Sequence, residues 1–259
     1  MSNKIPSKIH NNSELLVTFG SLIKESNINF QINDELLMCF IHARKHDVQR
    51  AMKLLKNYLR MIKNYPELFT DLRPERIKRF LDSGHILASP LRDQNGCRVF
   101  ILNARNWDVN QISLEDVYRT VVFCFQRMVS EIETQSNGVV IILDFQDFAL
   151  HQIRHFTPSF VKKVANLVQD VFPIRLKGIH IVNEPQIIKL LVAMIWPFLS
   201  NKIRNRVVFH GSCFTTLHHR VSPSCLPSNY DGFLGTLDSM KFSNVFFEDN
   251  YSKIFECLN

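Results

Sequence analysis

The sequence predicts an α/β fold, a mainly parallel sheet with crossover helices, preceded by a small all-helical unit. Three observations carry this reading. Val139 to Phe145, VVIILDF, is an unbroken apolar run rich in β-branched residues, the composition of a central strand covered on both faces. From residue 98 onward, strand-like and helix-like segments alternate, as they do when parallel strands are joined by helices. Between residues 30 and 90 the apolar residues recur at helical spacing instead.

Residues 1–29 are polar and poorly patterned, and are expected to be partly flexible. Asn33 caps a short helix with Leu36, Leu37, Phe40 and Ile41 on its apolar face and a basic HARKH end. Asp47 opens a second helix, with Val48, Ala51, Leu55, Leu59 and Ile62 on one face and Lys53, Lys56, Arg60 and Lys63 on the others, and Pro66 stops it. Arg73-Pro74-Glu75 starts a third, with proline in the tolerated first turn. Residues 30–90 therefore form the helical unit, 91–240 the α/β domain and 241–259 a tail.

Within the α/β domain, Arg98 to Asn103 is a short strand. Ser113-Leu114-Glu115-Asp116 is a capping-box signature opening a helix towards Thr134. Thr157-Pro158 opens another, towards Phe172. Around Leu176 to Val182, Arg175 and Lys177 alternate with apolar neighbours, the period of a strand. Ile187 to Leu199 carries one charge, Lys189, and is followed by Lys202, Arg204 and Arg206 and a last strand, Arg206 to His210. By pattern alone this apolar helix is either a buried core helix or a lid over an apolar cavity.

Composition narrows the chemistry. Twenty-one Phe stand against two Trp and five Tyr, aromatic bulk with no polar handle, which suits a dry cavity wall or a skewed core. A net charge of +7 points to anionic partners, whether phospholipid surface, nucleic acid or acidic protein. The six cysteines form no CxxC pair, so neither a zinc site nor a redox motif is visible. No signal-peptide core and no apolar run long enough to span a bilayer are found, and the chain is expected to be soluble and cytoplasmic. The sequons at Asn11 and Asn250 then read as chance matches. GxGxxG, GxxxxGK[ST] and GxSxG are all absent, so no nucleotide cradle or nucleophile elbow is supported and no cofactor is implied. His151 and His155 lack an acidic third ligand, which argues against a metal. Asp144 and Asp147 follow a strand, where capping or loop roles outweigh catalytic ones.

Five segments in order, DELLMCFIHARKHDVQRAMKLLKNY, VSEIETQSNGVVIILDFQDF, FPIRLKGIHIVNEP, WPFLSNKIRNRVVFHG and LPSNYDG, resemble the CRAL-TRIO lipid-binding family, in the branch of the alpha-tocopherol transfer protein and its insect relatives. The resemblance spans about residues 30 to 240. It implies a helical bundle and then a lipid-binding domain whose sheet floors a hydrophobic pocket closed by a mobile helix, here Pro185 to Leu199. It also implies a phosphoinositide-binding basic patch at Arg44, Arg175, Lys177, Lys202 and Arg206, and hence a peripheral membrane partner in place of nucleic acid. Pocket positions carried over are Tyr118, Val121, Phe125, Val139, Leu143, Phe156, Val164, Leu167 and Ile179, with Ile187, Leu191, Met194, Ile195 and Phe198 on the gate.

Six departures from the family pattern stand out. Val121 and Phe125 replace small hydroxyl residues near the polar head of tocopherol, which implies a more uniformly apolar cargo such as a retinoid or other isoprenoid, because a buried polar head without partners costs about 1 to 3 kcal/mol. Cys39 and His42 replace arginines, and Asp147 and Asp231 replace glycines. The implied activity is carriage of a hydrophobic small molecule by a monomer, without catalysis. A phosphoinositide-dependent trafficking adaptor and an enzyme acting on a bound lipophile, through Cys124 or the histidines, are the alternatives.

Overall fold

The computed structural model describes residues 12–236, except Asn29, Gln31, Asp71, Arg73 and Asn106. Residues 1–11, the tail 241–259 and both sequon asparagines lie outside the described residues. The chain runs α1 (Asn12–Glu25), α2 (Asp34–Ala43), α3 (Val48–Asn64), α4 (Pro74–Asp82), β1 (Ile86–Arg92), β2 (Arg98–Asn103), α5 (Leu114–Ser130), α6 (Ile132–Asn137), β3 (Val139–Asp144), α7 (Leu150–Ile153) and α8 (Pro158–Leu167). It continues through β4 (Leu176–Val182), α9 (Ile188–Ile195), α10 (Asn201–Arg204), β5 (Val207–Phe209) and α11 (Phe214–His218).

The capping residues act as the sequence expects. Asn33, Asp47, Ser113 and Thr157 each accept a backbone N–H three residues on, from Leu36, Arg50, Asp116 and Phe160. These bonds satisfy donors that the first helical turn leaves without partners. Helix α5 ends at Ser130, short of Thr134, where Glu131 turns extended and its carboxylate accepts from Arg98 at 2.7 and 3.0 Å and from Arg92 at 3.1 Å. Helix α8 likewise stops at Leu167, short of Phe172.

The pattern reading missed α1 and β1, along with the short helices α7, α10 and α11. Helix α1 occupies the segment expected to be poorly ordered, because Leu15, Phe19, Leu22 and Ile23 form a stripe that packs on the core, with Phe19 fully buried. Strand β1 is interrupted in sequence by Ser89-Pro90. It lies at the sheet edge, where a residue without an N–H is tolerated, and its pairing with β2 shifts register between Ala88 and Arg92.

The sheet has the order β1-β2-β3-β4-β5, antiparallel between β1 and β2 and parallel thereafter. Alternation along the strands divides the core. Phe100, Ile141 and Leu143 face the long helices, while Val99, Ile101, Val140, Ile142 and Val182 face a layer containing Leu217, Val221, Cys225, Leu226 and Tyr230. The first face is roofed by α5, α8 and α9, and the roof is not filled.

Candidate functional site

Beneath α9 lies a cavity of about 260 Å³ whose wall is almost wholly apolar. The sheet contributes Leu102, Ile141, Leu143, Ile179 and Ile181, α5 contributes Val117, Tyr118, Val121 and Phe125, and α8 contributes Phe160, Val161, Val164 and Leu167. Helix α9 closes it with Ile188, Leu191, Val192 and Ile195, spaced i, i+3, i+4 and i+7, so one helical stripe faces inward.

The abundance of Phe becomes intelligible here. Phe145, Phe148, Phe156, Phe160 and Tyr118 form a chain of edge-to-face contacts, with centroids 5.3 to 6.1 Å apart, and Trp107 joins Phe156 at 6.2 Å. Such pairs add about 0.5 to 1.5 kcal/mol beyond area burial and keep the wall dry. At the amino ends of the strands, Phe125 meets Phe100 at 6.0 Å and Phe172 at 5.4 Å, which fills the corner where a smaller residue would leave space.

Of the positions named from the sequence, Tyr118, Val121, Phe125, Leu143, Phe156, Val164, Leu167, Ile179, Leu191 and Ile195 line the cavity. Val139, Ile187, Met194 and Phe198 do not. Val139 borders a small adjoining recess with Phe125 and Leu176. Ile187 and Met194 fall off the inward stripe, and Phe198 follows the helix in a 3-10 turn and is largely exposed. The sequence reading places the apolar helix over the pocket but assigns its inward face one residue out at these positions.

The polar groups of the wall are mostly committed. Tyr118 donates its hydroxyl to the Lys163 carbonyl at 2.8 Å, and burial pushes its pKa up. Asp144 accepts from the Gln146 N–H at 2.9 Å and from Asn183 Nδ2 at 3.0 Å. Cys124 is fully buried in the core and its thiol pKa is raised by burial, the opposite of what a thiolate nucleophile needs. His151 and His155 are exposed, and among the described residues no group of three or more His, Cys, Asp or Glu could hold a metal.

The gate is tied at both ends. Glu184, before α9, accepts the Gly211 N–H at 3.1 Å. After it, Gln169 donates to the Phe198 carbonyl at 2.8 Å and accepts the Ser200 N–H, while Arg204 donates to the Trp196 carbonyl at 2.9 Å. These are a few polar contacts on an otherwise apolar, half-exposed helix.

The five cations expected to form one patch lie around the amino end of β4, and an acid lies among them. Asp170 accepts from Arg44 at 2.8 Å and faces the Lys202 ammonium at 3.5 Å. Burial lowers the Arg44 pKa, Asp170 opposing this and neighbouring Arg175 adding to it. Arg175 is built into the scaffold, donating to the Ser136 carbonyl at 2.8 Å and to the His42 carbonyl near the end of α2. Lys177 is exposed and Arg206 half-exposed, and neither forms an ion pair among the described residues. Nothing in the pattern of residues marks Asp170 as lying among them.

Comparison with known proteins decides the family. The model described as CRAL/TRIO domain matches residues 82–232, more than half of the chain. The chain belongs to the CRAL/TRIO family. The human protein named alpha-tocopherol transfer protein-like is 37% identical over 231 residues, covering 88% of this chain and 68% of that protein. Rat clavesin-1 is 30% identical over 253 residues, covering 96% and 71%. The crystal structure of Sfh5 superposes with a TM-score of 0.59 at 14% identity, covering 93% of this CRAL/TRIO chain and 92% of the other, a likeness of fold. The resemblance drawn from the five sequence segments is borne out.

Proposed function

We propose that the chain is a lipid-binding transfer protein that encloses a hydrophobic small lipid, a tocopherol, retinoid or related isoprenoid, beneath α9 and carries it between membranes. The apolar cavity under a lightly tethered crossover helix is the observation that carries this reading. A relative named for alpha-tocopherol transfer at 37% identity supports it. Sequestering a lipid contributes about 25 cal/mol per Å² of apolar surface removed from water, and exchange requires no bond to be made or broken. Val121 and Phe125 favour a retinoid or isoprenoid over tocopherol, since neither offers a hydroxyl.

Docking on phosphoinositide-containing membranes is assigned to Arg44, Arg175, Lys177, Lys202 and Arg206, making the protein a cytoplasmic monomer with reversible peripheral association. Each cation near an anionic surface contributes about 1 kcal/mol. Asp170 reduces the net charge of the cluster until an anionic headgroup competes for Arg44 and Lys202. No helix among the described residues is long and apolar enough to cross a membrane.

Neutralising Arg175, Lys177, Lys202 and Arg206 together is expected to weaken binding to phosphoinositide-containing liposomes while leaving affinity for a soluble fluorescent lipophile nearly intact. Wild-type liposome binding should also fall with added salt, given a Debye length of about 8 Å at physiological ionic strength. Liposome binding that ignores both charge removal and salt would count against the patch.

A further inference from the structure

The wall of the cavity is almost wholly apolar, although five of the residues that line it, His85, Asn103, Trp107, Tyr118 and Asp144, carry polar side-chain atoms. The fold uses those atoms elsewhere. Trp107 donates its indole N–H to the Ile112 carbonyl at 2.8 Å, and Tyr118 donates its hydroxyl to the Lys163 carbonyl at 2.8 Å. The Asp144 carboxylate, at the carboxyl end of β3, accepts from the Gln146 N–H and from Asn183 Nδ2.

His85 Nδ1 lies 3.0 Å from the Asn103 carbonyl, and Asn103 Oδ1 accepts the Arg105 N–H at 2.8 Å. Both residues also line a separate polar pocket with Ser83, Arg105, Asp108 and Gln111, and their remaining polar atoms face that pocket, since the cavity wall itself is apolar. Among the described residues no Lys or Arg lines the cavity, so the wall offers a ligand neither a cation nor a free hydrogen-bonding group.

A polar group carried into such a space leaves its water partners and finds no others. An unpaired buried hydroxyl weakens binding by about tenfold, and an unpaired carboxylate by more. Methyl and methylene groups meet no such penalty and gain from leaving water. We propose that the cargo is an isoprenoid hydrocarbon, a lipid with no hydroxyl, amine or carboxyl group. This rests on the carrier reading above and narrows its cargo. Selection is by exclusion: the wall recognises no particular group and penalises the polar end of an alcohol or an acid.

The test uses three ligands of nearly equal size: axerophthene, the hydrocarbon in which a methyl replaces the CH2OH of retinol, then retinol, and then retinoic acid. Each is presented to the full chain in phosphatidylcholine vesicles, where a hydroxyl or carboxylate stays hydrated at the surface, so that preference for the hydrocarbon reports the cavity and not solubility in water. Uptake is read from quenching of tryptophan emission, since Trp107 lines the cavity. Wild type is expected to take up axerophthene about tenfold more tightly than retinol, with retinoic acid the weakest of the three. Equal uptake of axerophthene and retinol, or preference for either polar ligand, would overturn the hydrocarbon assignment and leave the carrier reading standing. If wild type takes up none of the three, the carrier reading fails and the assignment fails with it.

Discussion

The two faces of the sheet are built from the same kinds of residue and end in opposite states. On the far face Val99, Ile101, Val140 and Ile142 are covered by the connections after β5, which are pinned by hydrogen bonds: Ser89 donates to the Cys225 carbonyl at 2.8 Å, and His218 bonds the Tyr230 carbonyl at 2.8 Å. On the near face Ile141 and Leu143 meet helices that bridge a space without filling it. Hydrophobicity alone therefore does not make a binding site. What distinguishes the faces is whether the covering layer is anchored closely enough to collapse onto the sheet.

The sharpest way to break this comparison is to truncate neighbours on opposite faces. Ile142→Ala removes a fully buried side chain from the solid face and should cost about 2 to 5 kcal/mol in chemical denaturation. Leu143→Ala enlarges a space that already exists and should cost less than about 2 kcal/mol. Equal losses would mean that the near face is packed as tightly as the far one.

A second probe uses the buried imidazoles of the far face. His180 Nδ1 and His210 Nε2 are 2.9 Å apart, and His210 Nδ1 is 2.8 Å from Thr216 Oγ1. Thr216 donates to the Cys213 carbonyl at 3.0 Å, so its oxygen accepts from His210 and both rings are neutral, with His180 donating to His210. Burial, with His210 and Arg220 adding and Asp93 opposing, holds the His180 pKa down to about 4. An unfolded imidazole titrates near 6.5, so as pH falls the unfolded chain takes up the proton first and stability declines. Between pH 6.5 and 5 the loss should be roughly 2 kcal/mol by denaturation midpoints, and His180→Gln should flatten it. A flat wild-type profile over that window would contradict the buried neutral pair.

Much of this was legible in the sequence, and the exceptions have physical causes. Helix caps are local, so Asn33, Asp47, Ser113 and Thr157 could be read directly, as could β3 from its β-branched run. Strand β1 could not, because an edge strand may carry Ser89-Pro90 without a pairing penalty. In the gate, composition marks an apolar helix, but its inward stripe is set by the turn at which the helix begins, so Ile187, Met194 and Phe198 were placed in a wall they do not join.

The smallest expected effect falls equally on both faces. Asp147, above the cavity side, and Asp231, in the far-face layer, hold φ values of 59° and 51°, the left-handed region that favours glycine. Asp147→Gly and Asp231→Gly should each raise stability by up to about 1 kcal/mol, read from thermal melts. A gain at only one of them would show that local contacts outweigh backbone strain at the other.

The claim that the near face is a cargo site is tested most directly by titrating retinol into wild type, Leu143→Glu and Leu167→Glu, with circular dichroism verifying the fold of each. A single saturable site in wild type and loss of binding in both variants is the predicted result, because a carboxylate in this wall has no partner to offset its desolvation. Equal binding by all three proteins would contradict it.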